Sequence, residues 1–359
     1  MPIDLSFQDS LYWHCEHYPL MQIEDLVKLA FQAAWAGGHL IQDEQEVRQR
    51  LQLEIESQKE LRPVDRFEPI GNGLCRLNLM AVSQSGLSLE TVCRFFIATA
   101  NGHEGSPSIF SRHLSVLDQM MKEGIPLASP IRYEDWSHWL QAYRKKGCPA
   151  VHHSDIYRKA YRPAYRVVRA AYALFQPLFA AIDQKLEEKE YLFVAIDGNS
   201  GAGKSTLAKL VHEVYGGNLF HMDDFFLEPH QRTLERLQEP GGNVNYERFF
   251  DEVILGVTSR KPFFYRTYDC KNQTLSRPIL VHPARFNLVE GVYCLHPSLI
   301  QSYDLKVMLQ TDRDRQLQRI LERSGSALYQ RFVKEWIPLE DCYFSALQIA
   351  EQCDLILNG

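Results

Sequence analysis

No stretch of this chain is apolar enough to cross a bilayer. The most apolar segment, Ala170 to Ile182, is broken by Gln176-Pro177 and falls short of the roughly 20 residues a spanning helix needs. Paired cysteines are also missing. The eight cysteines, at 15, 75, 93, 148, 270, 294, 342 and 353, are scattered without a C-x-x-C, and nothing at the N-terminus reads as a secretion signal. Reduced thiols in a cytoplasmic protein are the expectation. Positive charge is not in excess: a net charge of -6 argues against a surface devoted to nucleic acid. No internal repeat is detectable. His14, Cys15 and His17 find no further ligands to complete a four-ligand metal set, nor does His152-His153, so packing roles are expected for them.

What is present is a chain of 359 residues, 45% of them hydrophobic, which suggests two domains of similar size, each able to bury its own core. The N-terminal half reads as mainly helical. Helices are expected over Met21–Ala36 with a stop at Gly37-Gly38, over Asp43–Lys59, Leu87–Ala100 and Pro107–Lys122 with Ser106 as N-cap, and over Tyr133–Lys146. Pro63 to Gly73 reads as a loop. In Ser154 to Gln184, Tyr157, Tyr161 and Tyr165 recur every fourth residue, as do Arg158, Arg162 and Arg166. A helix there would carry aromatic and basic stripes, with buried tyrosines and solvated arginines favoured over an anion site or docking face. The charged run KLEEKE, Lys185 to Glu190, reads as a connector, dividing a helical domain (1–185) from a second domain (186–359).

The chain is organised around Tyr191 to Ala208, YLFVAIDGNSGAGKSTLA. Leu192 to Ile196 reads as a buried strand, and Thr206 to Tyr215 as a helix. Between them Gly198, Asn199, Ser200, Gly201, Ala202, Gly203, Lys204 and Ser205 spell G-x-x-x-x-G-K-S, followed by Thr206. Glycines at 198, 201 and 203 let the backbone turn tightly and aim N–H groups at phosphate oxygens. Lys204 adds a mobile charge for the β- and γ-phosphates, the Ser205 hydroxyl suits Mg2+, and the helix dipole favours the same anion.

Downstream, Asn218 to Met222 forms a strand that delivers Asp223-Asp224-Phe225-Phe226. Carboxylates at that end of an open α/β sheet overlook the ligand crevice, and either Asp223 or Asp224 suits proton acceptance or Mg2+. Phe225 and Phe226 would anchor the turn. Pro240 to Phe250 reads as a loop entering a helix, a wall or lid for a substrate. Tyr265, Arg266, Tyr268 and Asp269 form a polar and aromatic group suited to a sugar-like ligand or to a plain hairpin. Phe286 to Val289 ends at Glu290, where a second Mg2+-organising carboxylate belongs. Leu305 to Leu309 and Cys353 to Leu357 supply the last strands. Between them Arg315, Arg319 and Arg323 share one helix face, suited to closing over a triphosphate, or to neutralisation by Asp312, Asp314 and Glu322 on a solvated surface.

In this order GNSGAGKST, MDDFF, RTYDC, VEGVY, TDRDRQLQRILER and CDLILNG resemble the uridine kinase family of P-loop phosphotransferases over residues 186 to 359. The resemblance implies an α/β fold, a P-loop NTPase domain with a five-stranded parallel sheet flanked by helices, and ATP with Mg2+. It further implies transfer of the γ-phosphate to a hydroxyl of a small-molecule acceptor. It implies Asp223 as catalytic base, Ser205 and Glu290 with Asp223 at the metal, and Lys204, Arg319 and Arg323 against the transferred charge. Asp224, Asn245, Arg266 and Tyr268 are implied at the acceptor. Three positions depart from the family: Asn245 stands where an aspartate grips the ribose diol, the histidine expected after Tyr268-Asp269 is missing from CKNQT, and Ile320 replaces part of a double-arginine lid. No N-K-x-D guanine-reading sequence follows the loop. A nucleotide-gated regulatory protein is the alternative to an enzyme, and a homodimer is left open.

Overall fold

The computed structural model describes residues 5–36, 41, 43–57 and 65–359. The glycine pair expected to stop the first long helix, Lys59, and the start of the loop expected from Pro63 lie outside them. The chain divides into two compact units, Met1–Asp183 and Gln184–Gly359. Among the described residues no helix is long and apolar enough to cross a membrane.

The first unit is largely helical, with α1 (Phe7–His17), α2 (Ile23–Trp35), α3 (Glu44–Ser57), α4 (Leu89–Gly102), α5 (Pro107–Glu123), α6 (Tyr133–Lys145), α7 (Asp155–Tyr161) and α8 (Ala170–Leu174). A core containing Leu11, Leu26, Leu29, Leu117, Trp136 and Tyr157 fills it. His153 is buried there, its Nδ1 2.7 Å from Asp25 and its Nε2 2.6 Å from the Tyr165 hydroxyl, while His14 bonds the Pro69 carbonyl, so these histidines serve packing.

This unit also holds an antiparallel sheet, β1 (Phe67–Gly71), β2 (Leu74–Asn78) and β3 (Tyr165–Arg169), where the sequence suggests a loop and a helix. Two corrections follow. Asn72 and Gly73 both take positive φ, 54° and 68°, and join β1 to β2 in the two-residue turn that an Asn-Gly pair favours. The tyrosine and arginine stripes break because Arg162 adopts φ 44° just before Pro163, ending α7, and the β-branched Val167 and Val168 continue as a strand. Tyr165 and Arg166 therefore belong to β3. The charged run from Lys185 is the end of helix α9 (Gln176–Glu188) rather than a connector, and the boundary between the units falls inside that helix.

The second unit is a five-stranded parallel sheet flanked by helices. Its strands are β4 (Leu192–Gly198), β5 (Asn218–His221), β10 (Phe286–Glu290), β11 (Leu305–Gln310) and β12 (Leu355–Asn358), ordered β12-β11-β4-β10-β5. Every residue of β4 is buried, as the continuous apolar run requires of a central parallel strand. Helix α10 (Lys204–Tyr215) follows β4. Between β5 and β10 lie the short helices α11 (Leu234–Gln238), α12 (Tyr246–Phe249) and α13 (Leu255–Ser259). Two small antiparallel pairs complete that insertion: β6 (Phe263–Tyr265) with β9 (Ile279–Val281), and β7 (Tyr268–Asp269) with β8 (Thr274–Leu275). Helices α14 (Arg313–Arg331) and α15 (Ile337–Ala346) separate β11 from β12 and are joined through a π turn at Phe332–Trp336.

Asp197, fully buried near the end of β4, ties these parts together. Its carboxylate accepts N–H bonds from Gly198 (2.7 Å), Tyr293 (3.2 Å) and Leu295 (3.0 Å), and the Tyr343 hydroxyl of α15 (2.9 Å). Burial outweighs these donors and raises its pKa from 3.8 to about 6. The folded state thus holds a proton that the unfolded chain releases between those values, so this group's contribution to stability falls as pH rises through that window. Asp197→Asn should lose that pH dependence and, because its amide cannot accept from all four donors, cost about 1–3 kcal/mol at neutral pH in urea titration. An unchanged midpoint would show that the node is not needed.

Candidate active site

The phosphate-type loop runs from the end of the central strand into α10, with Gly203 at φ 100° as the helix cap. Its glycines serve different needs. A Cβ on Gly198 would lie 2.0 Å from the Leu309 carbonyl oxygen, so that glycine permits close packing against β11, whereas a Cβ on Gly203 would make only ordinary contact with the Leu309 side chain, and glycine is required there by its backbone angle. Lys204 is buried and donates to the carbonyls of Gly198 (2.7 Å) and Asn199 (3.0 Å), holding its ammonium under the loop.

Three oxygen-bearing side chains converge beside it. Ser205 donates to Glu290 Oε2 at 3.2 Å, and the other Glu290 oxygen lies 2.6 Å from His221 Nδ1, which raises the histidine pKa. Asp223 follows β5 and lines the same cavity. Burial holds its carboxyl above the usual range, Lys204 and Arg323 pull it down, and Glu290 adds to the rise. Asp224, the other aspartate of the pair, is not among the residues lining the cavity, and its backbone carbonyl accepts from Arg248. The geometry thus separates two carboxylates that the sequence leaves equivalent. Phe225 anchors the turn, fully buried and edge-on to Phe249.

The cavity, of about 1150 Å³, is lined in part by residues of α14 and α15. Arg319 donates to the Gly201 and Ala202 carbonyls (3.2 and 3.4 Å), and Arg323 lies over the Phe332 ring. Arg315, on the same helix, turns instead to the Gly359 carbonyl and Asp312, so Arg319 and Arg323 line the cavity and Arg315 does not. Ile320 is wholly buried against Phe332 and Ile337, filling the joint between the two helices. The remaining expected acceptor residues are occupied elsewhere. Asn245 is buried as the cap of α12, accepting from Arg248 N (3.0 Å) and donating to Gln231 Oε1 (2.9 Å). Arg266 pairs with Glu252, and neither Arg266 nor Asn245 lines the cavity. Tyr268 is buried, with its hydroxyl accepting from Arg232 Nη2 at 3.2 Å.

Several cavity residues escaped the sequence reading, among them Arg232, Arg331, Trp336 and Glu340. Glu340 of α15 is buried and accepts from both the Ser200 N–H (2.9 Å) and the Ser200 hydroxyl, and burial raises its pKa. Ser200 and Glu340 are 140 residues apart, so only tertiary structure pairs them.

This fold and loop define a P-loop α/β domain of the nucleotide-binding class. Within that class the second unit carries a uridine kinase-like segment. The uridine kinase of Ligilactobacillus salivarius is 25% identical over 153 residues, 39% of this chain and 72% of that enzyme. The uridine kinase of Anoxybacillus flavithermus is 27% identical over 155 residues, with the same shares. A solved structure described as a possible uridine kinase from Bacillus stearothermophilus aligns with 50% of this chain and 99% of its own, at 20% identity and a TM-score of 0.39. No protein-family model matches the chain.

Because Glu340 holds the outer shoulder of the loop, Glu340→Ala should weaken ATP binding by about tenfold, the equivalent of roughly 1.4 kcal/mol. Ser200→Ala, which keeps the N–H bond, should lose less. Calorimetric titration of ATP with Mg2+ measures both, and equal affinity in Glu340→Ala and wild type would remove any role for the clamp.

Proposed function

We propose that the second unit is an ATP-dependent kinase that transfers the γ-phosphate to a hydroxyl of a small molecule. The observation that carries this reading is the presence of Asp223 in one cavity with Lys204, Ser205, Arg319 and Arg323. The loop amides and Lys204 would hold the triphosphate by hydrogen bonds and charge, as such loops do. Asp223, buried and facing the same space, would accept the acceptor's hydroxyl proton. Burial makes it more basic than an exposed carboxylate, which suits that task. Arg319 and Arg323 would offset negative charge on the transferred group. The uridine kinase relatives support a small-molecule kinase and leave its acceptor undefined.

Mg2+ accompanies this chemistry, and the donor set fits it. Ser205, Glu290 and Asp223 offer oxygen ligands only, and Ser205 Oγ lies 3.2 Å from Glu290. Ser205 with these two carboxylates would hold the ion, which neutralises phosphate charge when bound.

A screen of hydroxyl compounds for acceptor-stimulated ADP formation tests the reading. A chain that binds ATP and responds to no acceptor would be a nucleotide-gated regulator instead. With the acceptor in hand, Asp223→Asn should lower kcat by about 10²–10⁴-fold while ATP still binds. Full turnover in that variant would place the proton acceptor elsewhere.

A further inference from the structure

Five cations line the cavity, and among the described residues only Arg331 is ion-paired, with Glu335. Lys204 and Arg319 are spent on the carbonyls of the glycine loop, and Arg323 lies over the Phe332 ring. Arg232 is the one cavity cation that comes from neither the loop nor α14. Among the described residues it forms no ion pair, yet its guanidinium is not loose: Nε and Nη2 donate to the Leu227 carbonyl (3.1 and 2.9 Å) and Nη2 to Tyr268, over whose ring the group lies at 5.9 Å. Among the described residues Nη1 has no hydrogen-bond partner.

Its place is on the acceptor side. Arg232 lines the cavity together with Phe226, Leu227, Asn243, Cys270 and Gln273, from the insertion between β5 and β10 and not from the loop or the lid. Cys270 lines the same cavity as Arg232 and Asp223. The segment carrying Arg232 is fixed as well: Gln231 Oε1 accepts from Glu228 N (3.0 Å) and from Asn245 Nδ2 (2.9 Å). The residue at the position where the family grips a ribose diol is thus spent on bracing the neighbour of Arg232.

We infer that the acceptor is a small hydroxyl compound bearing an anionic group, a carboxylate or a phosphate ester, which Arg232 receives while the hydroxyl meets Asp223. A held guanidinium with donors to spare matches the planar oxygens of either group. This rests on the kinase reading above. In the transfer the acceptor oxygen bonds the γ-phosphorus, the bond from that phosphorus to the β,γ-bridging oxygen breaks with its electron pair leaving on ADP, and the hydroxyl proton passes to Asp223.

The test uses the full chain with ATP and Mg2+ and three acceptor sets: neutral (uridine, glycerol), carboxylated (glycerate) and phosphorylated (ribose 5-phosphate). One anionic set should be used with kcat/KM at least about tenfold above the neutral set, and which set responds identifies the group. Arg232→Gln should lower kcat/KM for that acceptor by about 10–100-fold, chiefly through KM, with the KM for ATP shifting by less than about threefold, and Arg232→Lys should recover part of the loss. Neutral acceptors used as well as anionic ones, or an Arg232→Gln variant equal to wild type, would overturn the inference and leave the kinase standing. If no acceptor yields ADP, the kinase reading fails, and alkylation of Cys270 followed by peptide mass spectrometry decides the anion site separately. Inorganic phosphate or glycerate should slow that alkylation in wild type and not in Arg232→Gln. Absence of protection in wild type would refute the site itself.

Discussion

Everything at the cavity depends on one buried carboxylate. Asp197 satisfies N–H groups from its own strand end and from the turn after β10, and it takes the hydroxyl of Tyr343 from α15. Those partners belong to the three parts that must agree for the site to exist: the start of the phosphate-type loop, the turn beyond Glu290, and the second helix of the lid. A charge buried this deeply is retained only where several donors converge on it. The same convergence fixes the mutual position of those parts, and Asp197 does so without facing the cavity itself.

From that node the electrostatic design follows by division of labour. Two carboxylates beside the loop are satisfied locally by hydrogen bonds: Glu340 by the two donors of Ser200, Glu290 by Ser205 and His221. Asp223 is the exception: among the described residues its side chain has no hydrogen-bonded partner, and burial raises its pKa, the condition that suits a carboxylate to take up a proton. On the lid, Gly325 at φ 72° and ψ 170° interrupts α14 between the segment carrying Arg319 and Arg323 and the segment leading to Trp336. The break, together with the π turn at Phe332–Trp336, turns side chains from both segments toward the same space.

How much of this could be read from the residues depends on the range of the cause. The loop, the strand before it and the helix after it are local, and their signals sit within Tyr191 to Ala208. So are Asp223 and Glu290, because each ends an apolar strand. The Asn72-Gly73 turn was equally local and overlooked, since β1 and β2 are buried on both faces and show no alternation to announce them. The i, i+4 repeat of Tyr and Arg misled for a complementary reason: periodicity cannot weigh a left-handed Arg162 and a following proline. Glu340, Arg331 and Trp336 were out of reach. A glutamate in a short helix looks like any solvated residue until the fold sets it against Ser200, far away in sequence.

The departure at Asn245 shows why a substitution should be judged by what its atoms do. Capping α12 needs only an acceptor oxygen, and an aspartate would supply one as well. The amide nitrogen is the difference. It donates to Gln231, whose oxygen also takes Glu228 N, so the turn just before Arg232 closes on the entry to α12. An ionised aspartate would face the Gln231 oxygen with no proton to give, and the brace would open. The amide of Asn245 thereby helps set the position of the segment that carries Arg232, a role that a carboxylate at the same place could not fill.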